Sequence, residues 1–381
     1  MDGLALRGDA DRAEDSYRAG DGLRIDDITA RARYHKGFDS HERVVRAVDR
    51  EAGLDAIVAI HDRSLGPAIG GCRMWPYEDE AAALTDVLRL SRGMTFKCAL
   101  AGVPLGGGKA VILGDSRSGK SESLFRAFGR AVDALAGHYV SGEDVGVTVD
   151  DMNLAAAETD HILGSGDRGG DPAPWTARGV FAGIEAALAH RLGRRSVAGA
   201  TVAVQGLGHV GYRLCRRLAE AGARLVVADI SPDAARRAAA DFGAAVVEPD
   251  AIYDAEADVF APCALGAAID DDTLARLRCA VVAGSANNQL AEPRHGEGLR
   301  ARNVLYAPDY AINAGGLIAL ALHRLPGGFS TPRAEQATAA IGDTLAGIFA
   351  RAGREGAAPS RIADEMAAER IARAAGRCPI V

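Results

Sequence analysis

Three side chains in this sequence have the types and surroundings for proton chemistry on a small substrate. Lys97 and Lys109 lie in the stretch Ser91-Arg-Gly-Met-Thr-Phe-Lys97-Cys-Ala-Leu-Ala-Gly-Val-Pro-Leu-Gly106-Gly107-Gly108-Lys109, one ending an apolar-periodic segment and one following three glycines. Asp144 lies in Gly142-Glu143-Asp144-Val145-Gly146. Glycine admits backbone angles that other residues resist and lets a ligand come close to the main chain. A lysine half desolvated beside such a loop can have its pKa lowered enough to act as a base. The competing reading is a flexible turn followed by a surface lysine. At Asp144 the competing reading is an N-cap for a helix that begins near Val149. The local sequence favours neither.

These residues need elements to hold them. From Tyr77 to Leu100, Leu84, Val87, Leu88 and Met94 fall at helical spacing, so a helix delivers Lys97. After the glycines, the apolar run Ala110 to Leu113 reads as a short buried strand. Upstream, Val44 to Val48 and Ala56 to His61 flank Glu51-Ala-Gly53 as a hairpin. Leu65-Gly-Pro-Ala-Ile69-Gly70-Gly71 is too rich in glycine for a strand interior and too apolar for a solvated linker. A loop lining a pocket explains both properties. A helix from about Glu122 to Leu135 leads to a strand through Tyr139 that ends at Glu143 and Asp144, a position where acids often belong to sites.

Gly164 to Pro174 is dense in Gly, Asp and Pro and marks a domain boundary. A helix from Pro174 to about His190 follows, with Val180, Ile184 and Leu188 on its buried face. Next come the strand Thr201 to Gln205, the turn Gly206-Leu-Gly208-His209-Val210-Gly211, and a helix carrying Leu214 and Leu218. The next strand ends in Asp229, about twenty residues past the glycines. That context makes the glycines a dinucleotide fingerprint. Exposed N–H groups at the helix start hold a pyrophosphate. Asp229 would bond both ribose hydroxyls and repel a 2′-phosphate, which favours NAD over NADP. His209, inside the fingerprint, is expected to face solvent.

Strands and helices continue to alternate through Ala257 to Ala261, Thr273 to Leu277, Ala280 to Ala283 and Val304 to Tyr306, the pattern of a doubly wound parallel sheet. Pro262-Cys263-Ala264-Leu-Gly266 and Gly284-Ser-Ala-Asn287-Asn288-Gln289 follow strand ends, so they are expected to face the nicotinamide. A helical tail after Gly315-Gly316 bears the stripe Ile341, Leu345 and Ile348, expected to return to the first domain. The organisation expected is an α/β chain of two domains. An extension over 1–33 precedes a substrate and catalytic domain over 34–170. A Rossmann-type NAD-binding domain spans 171–315, and C-terminal helices over 316–381 pack back on the first domain.

Bulk composition agrees with that class. A chain of 381 residues suggests about two domains, and 48% hydrophobic with 25% charged residues is ordinary for a globular protein. A net charge of −7 offers nothing to nucleic acid or an anionic membrane, and no apolar run reaches the ~20 residues of a membrane span. The first 33 residues alternate Asp and Arg without an apolar core, so they read as a disordered extension and not a signal peptide. The six cysteines are scattered without metal-ligand spacing, so no metal is expected and the cytoplasm is the expected compartment.

Taken together, the motifs resemble the glutamate/leucine/phenylalanine/valine dehydrogenase family, most closely its leucine branch, from about Val44 to Arg373. The resemblance rests on Leu65 to Gly71, Arg92 to Lys97, Gly106 to Lys109, Glu143 to Gly146, the dinucleotide fingerprint, Ala261 to Gly266, Ser285 to Gln289 and Ala307 to Tyr310. It implies reversible NAD-dependent oxidative deamination of an L-amino acid to a 2-oxo acid and ammonia, by a homo-oligomer. By that resemblance Lys97 holds the substrate carboxylate, Lys109 is the base that activates water, and Asp144 exchanges protons with the amino group. Asn288, with Asn287 and Thr176, positions substrate and nicotinamide.

The substrate side chain is read from departures within the family. The glutamate branch carries a lysine before the paired glycines, where this chain has Ile69 before Gly70 and Gly71. A buried carboxylate left unpaired there costs several kcal/mol, which disfavours glutamate. Gly142 and Leu320 resemble the phenylalanine branch, and Leu317 is larger than the valine of the leucine branch. The missing methyl at Gly142 is expected to enlarge the pocket. Changes of one methylene tune preference by only ~1–3 kcal/mol, so leucine and its branched relatives remain the expected substrates, with phenylalanine as the alternative. A binding protein that keeps the fold without catalysis is disfavoured by the presence of Lys97, Lys109 and Asp144. Cys98, where the family has asparagine, is unexplained.

Overall fold

The structure, a computed structural model, describes residues 16–18, 22–164 and 170–376. The chain forms two compact units, Met1–Thr95 with Leu105–Asp167, and Phe96–Pro104 with Arg168–Val381.

The first unit begins with β1 (Ser16–Arg18), β2 (Leu23–Asp27), α1 (Thr29–Ala32), β3 (Arg43–Asp49) and β4 (Leu54–Asp62). It continues through β5 (Ala68–Ile69), β6 (Cys72–Trp75), α2 (Glu80–Ala101), β7 (Gly106–Leu113), α3 (Glu122–Asp133), β8 (Tyr139–Val140) and α4 (Val149–Ala156). The sheet runs β1-β2-β3-β4-β7-β5-β8, with β6 also paired to β7. β3 and β4 form the expected antiparallel hairpin, while β5 and β6 run parallel to β7, so the sheet is mixed.

Alternation along β4 and β7 explains why this sheet is covered on both faces. Val58, Ile60, Ala110 and Ile112 join one core with Phe125 and Phe128 of α3. Ile57, Ala59 and Val111 join another with Leu84, Val87 and Leu88 of α2. Lys109 pairs in register with Ala59 and stands two residues before Val111, which places it on the α2 side.

Three expectations change here. Gly106 to Gly108 do not form a loop; they open the strand β7. Their role is steric. A Cβ on Gly107 would lie 2.0 Å from the Thr95 nitrogen, and one on Gly108 would lie 2.7 Å from the Tyr139 ring. The Leu65 to Gly71 stretch likewise contains a buried strand, β5, because Gly70 meets the Gly108 carbonyl where a Cβ would stand 1.8 Å away. The expected disorder over 1–33 also fails at its end. Leu23, Ile25 and Ile28 are buried, and β2 pairs with β3. The alternation of Leu23 and Ile25 with Arg24 and Asp26 is that of a strand with one wet face. Residues 1–15 and 19–21 lie outside the described residues, as do 165–169 of the boundary loop.

The second unit starts with α5 (Ala173–Leu192), β9 (Thr201–Gln205), α6 (His209–Glu220), β10 (Arg224–Ala228), α7 (Pro232–Phe242) and β11 (Ala245–Val246). It goes on with β12 (Ala257–Pro262), α8 (Asp271–Arg276), β13 (Cys279–Val282), α9 (Arg294–Ala301) and β14 (Leu305–Tyr306). It ends with α10 (Asp309–Ile312), α11 (Gly315–Leu322), α12 (Thr331–Glu355) and α13 (Pro359–Ala374). Its sheet, β11-β10-β9-β12-β13-β14, is parallel throughout, the doubly wound order expected from the alternation. The α12 stripe covers α5 of this same unit: Gly183 faces Leu345 and Gly179 faces Ile341. The tail meets the earlier part of the chain at the end of α2, where Arg370 donates to the carbonyls of Ala99 and Leu100. No helix among the described residues is long and apolar enough to cross a membrane.

The close approach of α2 to β7 gives a stability test. Gly107→Ala forces its Cβ into the Thr95 backbone and should destabilise by ~1–3 kcal/mol. Gly93→Ala, within α2 and with nothing inside 4 Å of the new Cβ, should stabilise by ~0.5–1 kcal/mol. Urea midpoints report both, and equal midpoints would disprove the contact.

Candidate active site

In the first unit the expected site residues converge on one ion pair. Lys109 Nζ lies 2.7 Å from Asp144 Oδ2, with the lysine only 6% exposed and the aspartate side chain 23% exposed. β7 holds the lysine. Asp144 is held because the 142–146 segment runs alongside β6: Cys72 donates its N–H to the Gly142 carbonyl and Met74 donates to that of Val145. Glycine is required on both sides of this seam. A Cβ on Gly71 would stand 2.4 Å from the Glu143 carbonyl, and Gly146, at φ +79°, would meet the Met74 carbonyl at 2.2 Å.

The N-cap reading of Asp144 is excluded. Thr148 caps α4, accepting from the Asp151 N–H, and Asp151 returns the bond in a capping box. Asp144 is thus free of helix duty and faces cations. Burial alone would raise its carboxyl pKa, but Lys109, then Arg73 and the Val145 N–H, outweigh burial and hold it at about 2. Arg73 was not anticipated from sequence. Its Nε lies 3.3 Å from the same Oδ2, and its guanidinium also donates to Asp86 at 2.8 Å. The signal available was a charged residue set between the buried Cys72 and Met74 of one strand.

Ile69 is buried and pairs in register with Gly107, on the sheet face that Lys109 shares. Gly70 is fixed by Tyr139, whose hydroxyl donates to its carbonyl at 2.6 Å. At Gly142 a Cβ would come within 3.3 Å of the Leu163 carbonyl, a tight contact. Cys98 is fully buried, and burial pushes its thiol up to about 12, so it acts as a small apolar side chain.

Cys98 and the remaining residues lie in the second unit. Lys97, half-buried near the end of α2, clusters there, and its charge acts on Asp309. Asp309 is tied into the loop after β13 by accepting the Gln289 N–H at 2.8 Å. In that loop Asn287 and Asn288 are exposed, and Asn288 takes a left-handed φ of +49°. Asn313, only 5% exposed and not singled out from sequence, donates to Asn287 Oδ1 at 2.7 Å and to the Ser285 carbonyl at 3.1 Å. Thr176 sits in the first turn of α5, where its hydroxyl donates to the Pro172 carbonyl and faces Gly316. Leu317 and Leu320 are half-buried, one turn apart on α11.

The nucleotide fingerprint has the form a dinucleotide needs. Gly206, at φ +92°, leaves room for Ala264, which a Cβ would approach within 2.8 Å. Gly208 begins α6 with no side-chain cap and open space where a Cβ would stand. His209 is exposed as expected and Val210 half-buried. Cys263 fixes the neighbouring loop through its N–H to the Gln205 carbonyl at 2.7 Å. Asp229 does more than sequence implied: its carboxylate accepts the Leu207 N–H at 2.6 Å and the Ser231 N–H at 2.7 Å, which orients it at the fingerprint turn.

Comparison with known proteins agrees with this geometry. Residues 41–161 match the family described as "Glu/Leu/Phe/Val dehydrogenase, dimerisation domain", and residues 170–232 and 233–326 match "Glutamate/Leucine/Phenylalanine/Valine dehydrogenase". The chain belongs to this family. It is an amino-acid dehydrogenase, acting on a CH–NH2 group with a nicotinamide cofactor. It is 50% identical to leucine dehydrogenase of Thermoactinomyces intermedius over 89% of this chain and 92% of that one. It is 46% identical to phenylalanine dehydrogenase of Bacillus thermotolerans, covering 89% and 90%. The crystal structure of L-tryptophan dehydrogenase from Nostoc punctiforme is similar at TM-score 0.78 and 43% identity, covering 88% and 97%.

The buried ion pair makes an acid-stability prediction. Asp144 has its pKa depressed from 3.8 to about 2, so it contributes stability above the unfolded value that is lost as pH falls through the folded one. Asp144→Asn should therefore be less stable at pH 7 by about 2 kcal/mol, the size of that shift. The gap should close as pH falls from about 4 to about 2. Urea unfolding across that range measures it, and a gap independent of pH would show that the carboxylate is not held ionised.

Proposed function

We propose that this dehydrogenase oxidises L-leucine and related branched-chain amino acids with NAD. The balanced reaction consumes the amino acid, NAD+ and water, and yields the 2-oxo acid, ammonium, NADH and a proton. The observation that carries the reading is the buried Lys109–Asp144 pair in a chain half identical to a leucine dehydrogenase.

A bound nicotinamide supplies the hydride acceptor for the substrate Cα. Lys97 holds the substrate carboxylate by charge. Once Cα has become an imine carbon, Lys109 in its basic form takes a proton from the water that attacks it. Asp144, kept ionised between two cations, anchors the Lys109 ammonium when protonated and exchanges protons with the departing amino group. Asn288, with Asn287 and Thr176, orients substrate and ring, and the loop at Cys263 and Ala264 lines the cofactor. NAD is favoured because Asp229, pointed at the fingerprint turn by two backbone N–H groups, places negative charge where a 2′-phosphate would go. Ile69 is buried and apolar on the face of Lys109, which supports an apolar substrate side chain. Leu317 and Leu320, half-buried on α11, are apolar as well. The enzyme works in the cytoplasm as a homo-oligomer. The family's description of its N-terminal part as a dimerisation domain supports the assembly.

Purified protein given NAD+ and a panel of leucine, isoleucine, valine, methionine, phenylalanine and tryptophan should form NADH fastest with leucine. A maximum at phenylalanine would move the chain to the aromatic branch, and no NADH with any of them would sink the proposal. Lys109→Ala should lower kcat by ~100-fold or more while NADH binding, followed by fluorescence, persists. Asp229→Ser should raise the NADP/NAD ratio of kcat/KM at least tenfold; an unchanged ratio would remove Asp229 from cofactor choice.

A further inference from the structure

We infer that Arg73 is a positioning residue of the Lys109–Asp144 pair: a fixed cation that holds the carboxylate in place and charged while the lysine exchanges its proton. The inference rests on the proton-transfer roles proposed above.

Asp144 Oδ2 is shared by two cations, Lys109 Nζ at 2.7 Å and Arg73 Nε at 3.3 Å. They reach it from adjacent strands, β7 and β6, which pair in register at Arg73 and Val111. Arg73 is itself anchored. Its Nη1 donates to Asp86 Oδ2 at 2.8 Å, and the same oxygen accepts the Tyr77 hydroxyl at 2.6 Å. A chain of polar contacts thus runs Tyr77, Asp86, Arg73, Asp144, Lys109. Its three middle side chains are between 23% and 29% exposed. Cys72 of β6 and Tyr139 of β8, buried in the core on the other face of the sheet, feel the Asp144 charge, and burial raises the pKa of both. Among the described residues, the charged groups paired with Asp144 and Lys109 are Arg73 and, through it, Asp86, and Glu143 precedes Asp144 in the chain.

The need for a second cation follows from the chemistry. A lysine acting as base must be neutral for part of each cycle, and at that moment its carboxylate partner loses its counter-charge. A half-buried carboxylate without a cation is drawn to protonate or to swing away. Arginine does not give up its proton in proteins, so its charge stays through every protonation state of the lysine. Its positive field also opposes protonation of Asp144. Removing that field should make the pair hold its proton to higher pH.

The test compares Arg73→Gln, which removes the charge, with Arg73→Lys, which keeps it. In Arg73→Gln the acid limb of kcat/KM for the amino acid should move up by about one pH unit, the size expected for one neighbouring charge. In Arg73→Lys it should return to within a few tenths of a unit of wild type. A merely structural arginine would lower melting temperature and kcat in both variants and leave the limb where it was; that outcome overturns the inference, as does an equal limb shift in both. A readout without turnover separates this from failure of the proposed reaction. In protein carrying 13C-carboxyl aspartate, the Asp144 resonance, assigned by its loss in Asp144→Asn, should begin to protonate about one pH unit higher in Arg73→Gln than in wild type. An unmoved resonance refutes the arginine's role whether or not the enzyme oxidises amino acids. A moved resonance in a protein that forms no NADH refutes the reaction and leaves the arginine's role standing.

Discussion

An ammonium group at 6% exposure cannot stand alone, and the first unit is arranged around meeting that requirement. Moving a charge out of water costs several kcal/mol unless an opposite charge and hydrogen bonds replace the hydration shell. Lys109 finds its replacement in Asp144, but the two arrive on separate stretches of backbone, so those stretches must run close together. That constraint explains the glycines better than turn geometry does. Gly71 and Gly146 let the 142–146 segment lie against β6, Gly70 lets the Gly108 carbonyl approach, and Gly107 and Gly108 admit Thr95 and Tyr139 on opposite faces of one strand. A methyl at any of these positions pushes apart the layers that bring lysine to aspartate.

This is also where the sequence was hardest to read. Periodicity located the hairpin β3–β4, the helices α2 and α3 and the alternating second unit, because burial on a defined face repeats every 2 or 3.6 residues and leaves a pattern. The glycine triplet has no side chains to carry such a pattern. Its conformation is set by neighbours distant in sequence, Thr95 and Tyr139, so on local sequence alone the strand reads as a loop. Asp144 was open between two duties for a similar reason. Thr148 could serve as cap equally well, and only the capping box with Asp151 decides between them. Leu23 and Ile25 were lost in a charged N-terminal stretch because two apolar residues make a pattern only once β3 is known to lie beside them.

In the second unit one carboxylate has a structural duty beside its proposed ligand role. Asp229 accepts two backbone N–H groups, one from the fingerprint turn and one from the start of α7's cap region. Each carboxylate oxygen has room for more than one donor, so these bonds orient the acid without exhausting it. The negative charge proposed to select among cofactors is therefore held by the same turn that the glycines shape. Asp309 repeats the device at the other loop, where it ties the Gln289 backbone while the charge of Lys97 offsets part of its burial. Loops that must present exposed Asn287 and Asn288 are kept rigid from behind by acids and by Asn313.

Substrate choice is less concentrated in single residues than the motifs suggest. At Gly142 a methyl would sit within 3.3 Å of the Leu163 carbonyl, so glycine there also relieves a tight backbone contact. Ile69 is locked into β5 at 5% exposure and has little freedom to adapt to a larger ligand. In the proposed site its contribution would be to refuse a charge, since an apolar surface leaves a buried carboxylate unpaired. Leu317 and Leu320 are different. They are half-buried on one turn of α11, a helix whose start is pinned where Gly315 and Gly316 pack on Trp175 and Thr176. With the helix fixed and the side chains only partly packed, these two positions can change size at low cost to the fold. Discrimination between branched and aromatic substrates, worth one or two methylenes, is the scale of difference such positions can supply.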